Sequence, residues 1–153
     1  MDKLELKHLA PYLAYGLKVL CLHPQKLKGR EPVSKRNVFE LVGMAADRPH
    51  VNLQGLKNKD SIFGMELRFI VPILRPLTDL TEDGLLSSIN RQKFNTHFNS
   101  TGIYLTRYNE TAVSLSEFRK IEYYLYENHF DVFGLIDKGF AIDINTLKEF
   151  GNG

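Results

Sequence analysis

One histidine and three aspartates lie within HFDVFGLIDKGFAIDIN, residues 129–145. His129 stands two residues before Asp131, and Asp137 and Asp143 follow at intervals of six. An imidazole beside carboxylates could hold a divalent cation or move protons as an acid–base pair. The spacing argues against a metal. Helical ligand pairs sit three or four apart, and calcium loops place oxygen ligands at alternate positions with a glycine at the sixth. Each aspartate instead has a local structural reading. Asn128 suits a helix end, because asparagine tolerates the left-handed conformation. Asp131 is placed to cap a short helix over VFGLIDK, with Gly139 just past its end. AIDIN then alternates as a strand, with Asp143 on its wet face. Asp137 fits least well, since an acid near a helix C-terminus opposes the dipole, and Lys138 beside it is expected to offset this. His129 reads as a helix-end histidine facing carbonyls rather than as a catalytic base.

The rest of the chain offers little further chemistry. There is no phosphate-binding GxxxxGK[ST], no GxGxxG, no GxSxG elbow, no HExxH and no CxxC. His8, His23, His50, His97 and His129 are scattered. No catalytic residue, metal or cofactor is assigned. An enzyme would need a discontinuous site, centred on His129 and Asp131. The one cysteine, Cys21 in LKVLCL, excludes an intramolecular disulfide and reads as a buried, inert thiol.

Charge is uneven. Residues 1–80 carry 13 Lys/Arg against 8 Asp/Glu, a net of +5, and residues 81–153 carry 7 against 10, a net of −3. The densest basic stretch is Lys26, Lys28, Arg30, Lys35 and Arg36, which with Glu31 gives +4 over residues 26–36. Such a loop could contact phosphates, but it lacks the interleaved aromatics of a single-strand binding face, so a solvated loop is the preferred reading.

The elements that must position these groups come in two sets. Residues 3–9 read as a short helix ending before Pro11. Gly16 opens the strand LKVLCL. NVFELVGMAA (37–46) and HVNLQGL (50–56) alternate as two more strands, with turns at Asp47-Arg48-Pro49 and KNKDS. MELRFIVPILRPL (65–77) is strongly apolar, but Pro72 and Pro76 push its later part to a sheet edge, to a bulge or out of the sheet. Thr81, with Glu82 and Asp83, starts a helix through Leu85, Leu86 and Ile89. RQKFNTHFNST (91–101) reads as an exposed loop, and GIYLTRY (102–108) as a strand. Ser114 and Glu117 form a capping box ahead of Leu115, Phe118, Ile121 and Leu125, which predicts a helix over 115–127. Its tyrosines, Tyr123, Tyr124 and Tyr126, cover several sides, so at least one ring must meet another element or a partner.

Three segments carry a resemblance: LKHLAPYLAYGLKVL (6–20), VPILRPLTDLT (71–81) and ENHFDVFGLIDKGFAIDIN (127–145). In that order they resemble short uncharacterised proteins encoded by prophages and other mobile elements of gut Bacteroides-type bacteria. The resemblance implies a setting, the cytoplasm of a bacterial host cell, and no activity.

The expectation is an α+β fold in a single domain, 1–153. A small bent antiparallel sheet or partial SH3-like barrel (the β-rich lobe, 1–80) packs with helices of a mainly helical lobe, 81–153. No apolar run approaches the roughly 20 residues that span a bilayer, and MDKLELKHLAPYL has no signal-peptide core. The expected function is a non-enzymatic binding protein with a protein partner. Nucleic-acid binding through residues 26–36 is the alternative, and a discontinuous enzyme site is the third.

Overall fold

The computed structural model describes residues 3–22, 38–45, 47–56, 61–81, 84, 94–99, 102–107 and 115–149. Six strands form one sheet in the order β4-β3-β2-β1-β5-β8. They are β1 (Lys18–Cys21), β2 (Val38–Met44), β3 (His50–Gly55), β4 (Ser61–Glu66), β5 (Ile70–Leu74) and β8 (Ile142–Asp143). The pairings are antiparallel except β5 with β8, which is parallel. β6 (Phe94–Asn99) and β7 (Gly102–Arg107) make a separate hairpin. The helices are α1 (Leu6–Leu9), α2 (Leu115–Glu127) and α3 (Ile144–Glu149), with a 3-10 segment Ala10–Tyr15 continuing α1 past Pro11. The fold is α+β, as the pattern predicts. Among the described residues no helix is long and apolar enough to cross a membrane.

The expected barrel does not close. Closure needs the two edge strands to pair, but here β4 ends one side of the sheet and two-residue β8 ends the other. The side of β5 where a closing strand would add is taken by C-terminal chain. Ile73 and Leu74 pair with Ile142 and Asp143, while the bridge of Arg75 to Phe130 continues β5 on its β1 side. AIDIN thus returns to the sheet, as a parallel edge.

One sheet face is apolar and the other partly wet, as period-2 alternation requires. Val19, Phe39, Leu41, Val51, Leu53 and Met65 are buried together under Leu9, Tyr12, Leu17 and Leu135. Each such aliphatic side chain contributes about 1.5–3 kcal/mol of burial. On the opposite face the cross-strand partners Lys18, Glu40, Gln54 and Ser61 form a polar row across four strands.

Pro72 lies inside β5, opposite Val19. The amide of Leu22 donates to Phe69 O at 2.7 Å. Ladder alternation then puts the hydrogen-bonding pair at Leu20 and Val71, so Pro72 faces away from β1. β8 begins to pair only at Ile73. The missing donor therefore falls where no partner stands, which is the edge-like placement that proline requires.

Two bulges flank Asn52, one on each neighbouring strand. The Asn52 side-chain Oδ1 accepts from the Gly64 amide at 3.1 Å. A Cβ at Gly43 would stand 3.1 Å from Asn52 Nδ2, so the glycine makes room for the amide. The bulges turn Val42 and Phe63 to solvent, and Phe63 is 73% exposed.

Helix α2 spans the predicted residues, 115–127. At Thr81 the Gly84 amide donates to Thr81 Oγ1 at 3.2 Å, the bond that a capping threonine makes. Leu85, Leu86, Ile89 and Ser114 lie outside the described residues. The expected loop at 91–101 is wrong, because Phe94–Asn99 pairs with Gly102–Arg107 in unbroken register. Phe94, Thr96 and Phe98 alternate with Asn95, His97 and Asn99. That period of two carries the strand signal, which the polar composition masked.

Candidate functional site

Of the residues singled out for chemistry, His129 and Asp131 lie where the C-terminal chain crosses the N-terminal segment. His129 stands at the end of α2 with φ 57°, the one positive φ outside glycine among the described residues. The amides of His129 and Phe130 donate to Tyr126 O and Leu125 O at 3.0 and 2.9 Å, which is a Schellman closure. His129 thus takes the left-handed place that sequence reasoning gives to Asn128. Asn128 instead donates through Nδ2 to Tyr124 O at 2.9 Å.

The His129 ring explains why a non-glycine residue is held there. Nε2 lies 2.8 Å from Tyr15 O, and a carbonyl can only accept, so Nε2 donates. Burial holds the imidazole below the ordinary histidine range. The Tyr15 bond and Glu40 work against that shift, and Lys18 and Arg75 reinforce it. Arg75 lies over the Phe130 ring, 5.3 Å from its centroid. Its main chain takes the bridge, accepting from Asp131 N and donating to His129 O, both at 2.8 Å.

Asp131 is buried, and both its oxygens are used. Oδ1 accepts from Leu135 N at 2.8 Å and Oδ2 from Ile136 N at 2.7 Å. These bonds close a turn and not the helix expected over VFGLIDK. Gly134, at φ 63°, breaks helical continuity after Asp131. Gly139, at φ 73°, ends the turn, with Gly139 N and Phe140 N donating to Ile136 O and Leu135 O at 2.9 and 2.8 Å. A Cβ at Gly139 meets nothing within 4 Å. Gly139→Ala should therefore cost about 1 kcal/mol from backbone strain alone, read as a fall in denaturation midpoint.

The other two aspartates also serve the backbone or solvent. Asp137 is exposed, and the expected help from Lys138 does not occur, because Lys138 Nζ donates to Phe133 O at 2.6 Å. Asp143 is more than a wet-face residue. Its Oδ1 accepts from Asn145 N at 2.8 Å, capping α3, and Asn145 Nδ2 reaches Asp79 at 2.7 Å.

His129 and Asp131 therefore do not form an acid–base pair. Each side chain is engaged by a different piece of main chain. Among the described residues no three His, Cys, Asp or Glu side chains converge as metal ligands would. Lys26, Lys28, Arg30, Lys35 and Arg36 lie outside the described residues.

Sequence reasoning missed Tyr12. It is fully buried, and its hydroxyl donates to Phe130 O at 2.6 Å and accepts from Val132 N at 3.3 Å. Burial raises the hydroxyl above the ordinary phenol range, so it stays protonated. Its ring meets Tyr126 edge-on at 5.1 Å. Tyr124 stacks on Phe130 at 6.2 Å, and Tyr123 points to solvent. The tyrosine cluster thus divides between two internal contacts and one exposed ring.

One feature faces outward. Along α2 the apolar positions Leu115, Phe118, Ile121 and Leu125 share a stripe. Ile121 and Leu125 are buried, whereas Leu115 is 68% and Phe118 55% exposed. Comparison with protein families, curated proteins and solved structures gave no match.

Proposed function

We propose that this chain is a non-enzymatic binding protein that works in the bacterial cytoplasm on a protein of the host or of a mobile element. The observation that supports this is the uncovered half of the α2 stripe. Leu115 and Phe118 continue the line of Ile121 and Leu125 but stay exposed. Large apolar side chains in solvent are unfavourable alone and become favourable when a partner buries them. The resemblance of three segments to mobile-element proteins supplies the setting. The engagement of His129 and Asp131 by main chain supports a binding role over a reaction at that place.

The test is affinity capture from a bacterial lysate with the intact chain and with a Leu115→Ser/Phe118→Ser variant. A specific partner should be recovered, and its affinity should fall about tenfold or more in the variant, with folding unchanged. Recovery of no specific partner, or equal recovery by both chains, overturns the reading.

A further inference from the structure

His8 is the only described residue with a buried side-chain nitrogen that has no partner. The ring is 1% exposed. Its Nδ1 accepts from the Glu5 amide at 3.0 Å, and the His8 amide donates back to Glu5 O at 3.0 Å, so the two residues close the start of α1 reciprocally. Because Nδ1 is the acceptor, the neutral ring carries its hydrogen on Nε2. That N–H is the orphan, and the Phe133 ring stands 5.4 Å away.

A second proton would have to go on Nδ1, which faces an amide N–H. The charged ring must therefore give up the Glu5 bond and leave a cation in the core. The charged groups around it are Glu5 and Lys7 on its own segment and Lys138 on the turn packed against it. Glu5 favours the cation, but Lys7 already draws on its carboxylate at 3.0 Å. Both lysines oppose the cation.

The segment that His8 anchors meets the C-terminal chain through Tyr12 with Phe130 and Val132, His129 with Tyr15, the ring contacts of His8 and Tyr12 with Phe133 and of Tyr12 with Tyr126, and the packing of Leu9 and Tyr12 with Leu135. We propose that His8 is an acid-sensitive latch: its protonation releases Leu6–Tyr15 from the turn 130–138 and uncovers the apolar faces of Leu9, Tyr12 and Phe133. His129, whose charged form burial also disfavours, adds its own cost at acid pH, but its protonation does not break the bond to Tyr15. Its bond to Tyr15 uses the Nε2 hydrogen, which neutral and charged rings both carry, and Lys18, Arg75 and Glu40 are the charged groups that face it.

The sign follows from linkage. Burial moves His8 downward from the ordinary 6.5. The neutral ring's contribution is complete above that value and is lost as pH falls through the lower, folded one. Hydrogen exchange, corrected for intrinsic rates, tests this at about pH 7.5 and about pH 5, on either side of the histidine range. Amides of residues 6–15 should lose protection at acid pH by about tenfold or more, while those of β2 and β3 keep theirs. His8→Phe, which fills the same space without titrating, should show a much smaller acid loss over residues 6–12, and His8→Gln serves if the phenylalanine variant does not fold. Unchanged protection in the parent chain, equal loss across the sheet, or an acid loss undiminished in the folded variant overturns the latch.

Discussion

Tyr12→Ala is expected to lower the unfolding free energy by about 4 kcal/mol, the largest single effect in the molecule. The side chain is fully buried between the sheet and α2, and its loss leaves a ring-sized cavity beside Tyr126 and Phe133. It also removes the donor to Phe130 O and the acceptor for Val132 N. Tyr12→Phe separates the two contributions. It keeps the ring, loses only the hydroxyl, and should cost about 1.5 kcal/mol. Urea denaturation checks both, read from midpoints at unchanged slope. Equal costs for the two variants would show that packing around Tyr12 contributes little.

Asp131→Ala should cost about 3 kcal/mol, because a buried carboxylate accepts from two amides that have no substitute acceptor. Asp131→Asn should cost about 2 kcal/mol, since the amide oxygen serves one N–H while its NH2 opposes the other. The order Ala, then Asn, then parent is the diagnostic outcome. A stable Asp131→Ala chain would mean that the turn 132–138 finds other partners for Leu135 N and Ile136 N.

These two residues show unequal legibility. Asp131 is visible in sequence as a capping residue, because aspartate ahead of an apolar run has a local use. Its real clients, Leu135 and Ile136, were less visible, since they depend on Gly134 turning the chain left-handed in a stretch that otherwise reads as helix. Tyr12 was illegible. Its partners at 130 and 132 lie 118 and 120 residues away, and nothing in local spacing reports a pairing over that distance. His129 was half legible: its place at a helix end follows from the α2 pattern, but Tyr15 as its acceptor does not.

The amino-acid sequence by itself determined what local forces decide. Alternation set β2 and β3, the apolar repeat set α2, and Gly16 and Gly139 set where the chain turns left-handed. The same alternation was present in β6, where polar composition obscured it. Tertiary structure decided what depends on partners far along the chain. It left the sheet open by laying residues 142–143 along the outer edge of β5. It placed Pro72 where no donor is needed, and it assigned the carboxylates of Asp131 and Asp143 to main-chain amides. The physical reason is that side-chain periodicity reports which face of an element is buried, whereas the identity of the covering chain depends on which distant segment fills that face and meets its hydrogen bonds.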